Sequence, residues 1–323
     1  MGNDNFIVKI EALTDIWTGN ENRKNTILRE TGIIGSLRWW YEALVRGLGG
    51  TACDPTGDKR CELSGKKKTL EEQLTKMCPA CYLFGCGGWA RKFKLDVLDN
   101  NGNLKTTKIE KKDKIGLKFT PLRATENEEW ALLNLTLHLI AGYGAIGGKT
   151  VFKPSDENIR RDKLHHQDFG LFKIINSDLR FLPEKRLKTF VKNERWRKLE
   201  QDRVAWVSIQ NFWCVKGKYL SRKDNSTSSF NKVLGRKEQK NRGAQLDNRT
   251  DEVAKWLAGS QQGSKKVFSF KNPPRTFGFV NPDIINFKQM KKRLENIWGN
   301  ENNWIFLKGN NILSSLMQEI LED

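Results

Sequence analysis

No stretch of this 323-residue sequence is apolar for long enough to cross a membrane. The most apolar run, Ala131–Gly142, falls short of the roughly 20 residues a spanning helix needs, and Asn134 and His138 interrupt it. The N-terminus lacks the charged and apolar regions of a secretory leader, and Phe6 stands where myristoylation of Gly2 requires Ser or Thr. A soluble, cytoplasmic protein with no membrane partner is the expectation. Histidine is scarce, with 3 in all, and no carboxylate cluster suggests two-metal hydrolysis. An enzyme is hard to build from these residues. Acidic side chains are the minority, 38 against 57 Lys and Arg, which leaves a net charge of +19. Such an excess favours polyanions through counterion release and points to nucleic acid.

The chain has the means to fold. Hydrophobic residues make up 37% of it and aromatics 10%, including 11 Trp. Phe6, Val8 and Ile10 alternate with polar residues and predict a strand. A helix is predicted from about Ile33 to Leu48, capped by Thr31, with Ile33, Leu37, Trp40, Tyr41, Leu44 and Leu48 on its apolar stripe and Arg38, Glu42 and Arg46 off it. Strands follow around Phe93–Val97, turned back at Asp99–Gly102, and at Lys114–Thr120. A second helix after Thr125, with Glu128 completing a capping box, buries Trp130, Leu133, Leu137 and Ile140, and a further strand follows its glycine-rich exit. The order β-α-β-β-α-β is the ferredoxin-like pattern of many RNA-binding modules, and the second half repeats the mixture. The expected fold is α+β, two ferredoxin-like (RRM-like) domains, at 1–155 with a Cys-rich insertion at about 49–86, and at 156–323 with a mobile basic loop at about 221–251.

Five of the 6 cysteines lie between positions 53 and 86. Cys53, Cys61, Cys78 and Cys81 offer four thiolates, the last two as a Cys-x-x-Cys knuckle suited to tetrahedral structural zinc; reduced packing thiols are the alternative. Gly142, Gly144 and Gly147 spell G-x-G-x-x-G but follow a helix, which excludes a dinucleotide site. The same loop can bring backbone N–H groups of Gly144, Gly147 and Gly148 to phosphates, with Lys149 adding charge. Arg38, off the apolar stripe, is free for a phosphate, and Arg91 and Lys94 continue that surface. Arg275–Val280 echoes a base-stacking RNP1 string, but Thr276 and Pro282 break it and a core strand is the better reading. His165-His166 reads as a solvated loop.

Thr31–Tyr41, with its Gly-Ser-Leu-Arg-Trp-Trp core, resembles the first-helix motif of the RAMP superfamily of type III CRISPR effector subunits. Cys78–Gly85 resembles that superfamily's Leu-Phe-Gly motif, and residues 142–150 its glycine-rich loop. Ile16–Gly19 and the double Trp are similar to the family of first subunits of type III-B Cmr complexes. The resemblance covers about the first 150 residues. It implies a non-catalytic subunit, partnered by other Cmr subunits, that captures the 3′ region of the CRISPR guide RNA and the target RNA in antiviral defence. Asp15 is the nearest candidate for a nuclease aspartate. The alternatives are a RAMP-family endoribonuclease using His165 or His166, or a stand-alone single-strand RNA-binding protein.

Overall fold

Two antiparallel sheets of four strands each carry the molecule, and both have the ferredoxin-like strand order. The computed structural model describes residues 5–19, 24–55, 57–63, 69–148, 154–160, 162–199, 204–223, 228–235, 251–259, 264–300 and 303–322, the last four of these by backbone alone.

The first unit comprises Met1–Lys149, Gly170–Gln210 and Ile312–Asp323. It runs β1 (Phe6–Ala12), α1 (Glu30–Gly47), α2 (Leu70–Leu74), α3 (Pro79–Phe84), β2 (Phe93–Leu98), β3 (Lys114–Pro121), α4 (Asn127–Tyr143), β4 (Phe172–Ser177) and α5 (Glu184–Lys192). The sheet order is β2-β3-β1-β4. The alternation read in the sequence puts Val8, Ile10, Phe93, Leu95, Val97, Leu117 and Phe119 in the core. Phe93, Phe119 and Trp130 meet there with ring centroids 5.6–6.3 Å apart. α1 starts one residue before the expected cap, at Glu30, with Arg29 as N-cap and no side-chain cap bond. The capping box of α4 is Glu126 with Glu129, leaving Thr125 Oγ1 to accept the Trp130 indole N–H at 2.7 Å.

The division expected near residue 155 differs from the one found. The fourth strand of the first sheet does not directly follow the glycine-rich loop. It is β4, which pairs with β1 through partners such as Ile10↔Ile174 and Ala12↔Phe172. The second unit, Thr150–Phe169 and Asn211–Asn311, takes the chain between the loop and that strand.

That unit contains β5 (Phe212–Lys216), α6 (Ser229–Leu234), α7 (Glu252–Ala258), β6 (Val267–Lys271), β7 (Pro274–Phe279), α8 (Phe287–Trp298) and β8 (Leu307–Lys308); α9 (Gly309–Glu322) follows. Its order, β6-β7-β5-β8, repeats that of the first sheet. Trp213, Val215, Val267, Phe230, Val233, Leu257, Met290 and Leu294 form its helix-side core. The expected basic loop is partly structured. Ser228 caps α6 through the Asn231 N–H, and Phe230, Val233 and Leu234 are buried because they form an apolar stripe on one turn-and-a-half of helix. Residues 224–227 and 236–250 of that loop lie outside the described residues. Among the described residues no helix is long and apolar enough to cross a membrane.

Candidate functional site

α1 buries the stripe that its sequence announces, and it also buries its polar face. Glu42 is only 3% exposed, because the Cys-rich insertion packs over the side of the helix opposite the stripe. Arg38 is therefore not free for a phosphate. Its Nε donates to Glu42 Oε1 at 2.8 Å, Nη1 to the Gly85 carbonyl at 2.8 Å, and Nη2 to Cys81 Sγ at 3.1 Å. Two turns on, Arg46 donates to the carbonyls of Ala52, Cys53 and Val207. Burial pushes the Glu42 carboxyl up to about 7 against the opposing pull of Arg38. The two arginines thus pin the insertion, a role hidden from the sequence because it depends on what covers the helix.

Beneath Arg38 lie the four cysteines read as a set. The sulfurs of Cys53, Cys61, Cys78 and Cys81 all fall within 4.8 Å of one another, and all four residues are buried. Cys53 and Cys81 are 3.4 Å apart, and Cys53 and Cys78 4.0 Å. These separations exceed the roughly 2.05 Å of a disulfide and bracket the edge of about 3.8 Å of a tetrahedron with metal–sulfur bonds near 2.3 Å. Cys78 is the N-cap of α3 with Pro79 at the first position, so the chain turns where the helix begins and both knuckle thiols face inward. The Cys78 N–H points at Cys61 Sγ (3.4 Å) and the Cys81 N–H at Cys78 Sγ (3.5 Å). Amide and guanidinium donors aimed at sulfur suit thiolates better than packing thiols. Cys86 lies half-buried beside this set, within reach of Cys81. Cys214 is buried in β5, where burial pushes its thiol up to about 12.

The glycine-rich loop serves close packing. A Cβ on Gly144 would lie 2.5 Å from the Trp40 ring, and one on Gly147, at φ +112°, would lie 2.6 Å from the Trp17 carbonyl. The N–H groups of Gly144, Ile146 and Gly148 donate to the carbonyls of Ile140, Gly170 and Trp17. Trp40 Nε1 donates to the Ala145 carbonyl at 3.0 Å. Those N–H groups are spent within the fold, which corrects the expectation of a phosphate cradle at Gly144 and Gly148. Lys149 lies outside the described residues. The loop does meet the other motifs: Gly32 at the start of α1 and Gly148 both approach the Thr18 carbonyl, at 2.8 and 3.3 Å from their added Cβ positions. Thus Ile16–Gly19, the entry to α1 and the glycine-rich loop converge on one spot.

The remaining candidates scatter. Arg91 sits at the start of β2, half-buried, its Nε on the Phe93 carbonyl at 2.7 Å. Lys94 is exposed and pairs with Asp96 at 3.0 Å. Asp15 Oδ1 accepts the Lys111 N–H at 2.9 Å, a turn contact. In the second unit His166 is buried, with its Nε2 3.2 Å from Arg160 Nη1, while His165 is exposed. Phe277 and Phe279 are buried against Phe212, Phe268 and Phe270, as a core strand requires. Sequence reading missed Lys92, 1% exposed and 2.5 Å from Glu129. Nothing in a lone Lys beside a strand announces burial.

Residues 9–152 match the model of the RAMP superfamily. No curated protein sequence matches the chain. Among solved structures, apo Cmr1 from Pyrococcus furiosus is similar at 13% identity over 95% of this chain and 99% of that one, with a TM-score of 0.43. A chain of the type III-B Cmr-β complex bound to cognate target RNA is 11% identical over 91% and 98%, at a TM-score of 0.43. A chain of a type IV-B CRISPR complex is 14% identical over 63% and 97%, at 0.35.

Proposed function

We propose that this chain is a non-catalytic, RNA-binding subunit of a cytoplasmic type III-B CRISPR effector (Cmr) complex, holding the guide RNA 3′ region and target RNA beside other Cmr subunits. The observation that carries the reading is the coincidence of the superfamily match with the motif cluster. Residues 9–152 contain Ile16–Gly19, the entry to α1, the Cys knuckle and the glycine-rich loop, and three of these four meet at Thr18. The excess of 19 positive charges supplies the drive towards a polyanion. Asp15 holds a turn by accepting the Lys111 N–H, and His166 shares its ring nitrogen with Arg160. That placement favours holding RNA over cutting it.

The four clustered thiols hold one structural Zn2+ in this reading, closed by Cys53, Cys61, Cys78 and Cys81 with no position open to substrate. The ion would tie the insertion to α1 and neutralise the thiolates that Arg38 and the amides face. Co-purification from the native host, with mass spectrometry and RNA sequencing, tests the assignment: Cmr subunits and CRISPR RNA are the expected companions, and their absence would sink it. Purified protein incubated with labelled RNA and divalent cations should leave the RNA intact. Cleavage lost in His165→Ala or His166→Ala protein would favour an endoribonuclease instead. Elemental analysis without added metal should give about one zinc per chain, and a content well below half returns the cysteines to packing thiols.

A further inference from the structure

The end of the first sheet where β2 begins and β3 finishes carries Arg91, which the sequence placed on one surface with the glycine-rich loop, and Arg123, which it did not single out. Phe93 pairs with Pro121. The ladder gains one more bond, from the Leu122 N–H to the Lys92 carbonyl at 2.7 Å. Arg91 and Arg123 each follow directly on this last bond, one on each side of it. Among the described residues neither guanidinium has a carboxylate partner; each lies over an aromatic ring, Arg91 at 5.2 Å from Phe93 and Arg123 at 4.7 Å from Trp89.

The Arg123 side of this pair is layered. Arg123 is exposed and covers the half-buried Trp89. Trp89 stacks on Tyr82, 5.7 Å away and inclined by 19°, and its Nε1 donates to the Tyr82 carbonyl at 2.9 Å. The loop that carries Trp89 is fixed. Cys86 and Trp89 exchange backbone hydrogen bonds of 2.9 and 3.0 Å, Gly85 turns at φ +90°, and Arg38 holds the Gly85 carbonyl. A planar cation backed by a rigid ring stack is a landing surface for an unpaired base, and a neighbouring guanidinium meets the adjoining phosphate.

We propose that Trp89, Arg91 and Arg123 clamp one nucleotide step of single-stranded RNA, with the base stacked on the Arg123–Trp89 layer and its phosphate on Arg91. The proposal rests on the RNA-binding reading above and names its site. Single strands are required because a paired base cannot present its face to the stack.

Filter binding of the full chain to a labelled oligouridine strand over a range of salt concentrations, beside a duplex RNA of equal length, tests it. Arg123→Ala should weaken single-strand binding about tenfold and leave duplex binding nearly unchanged. Arg123→Lys keeps the charge but not the plane, so it should keep the salt slope and stay several-fold weak. Arg91→Ala should flatten the log–log salt slope by about 0.7. Thermal melting of each variant checks that the fold is intact. Full rescue by Arg123→Lys would reduce the site to a point charge and overturn the stacking. Equal binding by wild type and all three variants would place the RNA elsewhere, overturning the clamp and sparing the RNA-binding reading. A wild-type chain that binds neither RNA overturns both.

Discussion

The two units bury a lysine at the same point of the same topology, and they handle it in opposite ways. Lys92 immediately precedes β2 and Lys266 immediately precedes β6. Each carbonyl accepts a ladder bond from the neighbouring strand, from Leu122 N–H at 2.7 Å and from Phe279 N–H at 3.0 Å. Each ammonium lies over a ring from the preceding helix, Tyr82 at 3.7 Å and Trp256 at 5.2 Å. In the first unit Glu129 meets the ammonium, and burial pushes that carboxyl up to about 7 although Lys92 pulls it down. In the second unit Lys266, 5% exposed, donates to the Ser264 carbonyl, and burial brings it down to about 8. Topology fixes where a lysine is buried; the local sequence decides between a counter-ion and a weakened hold on the proton.

The largest effect should come from the part of the first unit that has no counterpart in the second. Cys81→Ser removes a sulfur from the cluster and the acceptor of Arg38 Nη2. Loss of about 4 kcal/mol or more is expected, seen in calorimetry as a lowered transition of the first unit with the second unmoved. A shift of both together would mean that the units melt as one.

Lys92→Met should cost about 3 to 4 kcal/mol at pH 8, because it strands a buried carboxylate. The cost should shrink at pH 5, where Glu129 is protonated. Lys266→Met should instead be neutral or stabilising at pH 7, since it removes a buried charge. Denaturation curves of the two variants at both pH values decide the matter; equal losses would erase the distinction between the lysines.

The wild-type pH profile should show the same opposition. Glu129 binds its proton more tightly folded than unfolded, so its contribution is present below about pH 4.5 and is lost as pH rises to about 7. Lys266 holds its proton less tightly when folded, so stability rises between about pH 8 and 10.5. Each change amounts to about 3 kcal/mol. Amide exchange resolved by unit against pH should find these trends in different units. The smallest effect is Gly147→Ala, about 1 to 2 kcal/mol, from its positive φ and the Trp17 carbonyl; urea denaturation would measure it.

Much of the first unit was legible because local signals agreed with tertiary ones. The alternation of Phe6–Ala12, the stripe of α1 and the buried face of α4 each name one side of a packed layer. Three features were not legible. The strand completing the sheet lies beyond a segment that belongs to the other unit, so continuity along the sequence misleads there. Arg38 looked exposed because helical periodicity reports one apolar face and is silent about an insertion packed on the other. Arg123 gave no signal, because Trp89, the ring it covers, lies far from it in sequence and meets it only in the fold. The cysteine set was legible since a Cys-x-x-Cys turn fixes half its geometry locally.

The passage of the chain from the glycine-rich loop into the second unit and back to β4 sets how this protein can be dissected. A fragment ending at residue 155 would keep every motif of the superfamily match yet lack β4, and β1 would present a bare row of N–H and C=O groups. Such a fragment is an aggregation hazard, and its insolubility would say nothing about RNA. Joining residue 148 to residue 170 through a short glycine-serine bridge is the sounder cut, because the Ile146 N–H already meets the Gly170 carbonyl at 2.8 Å.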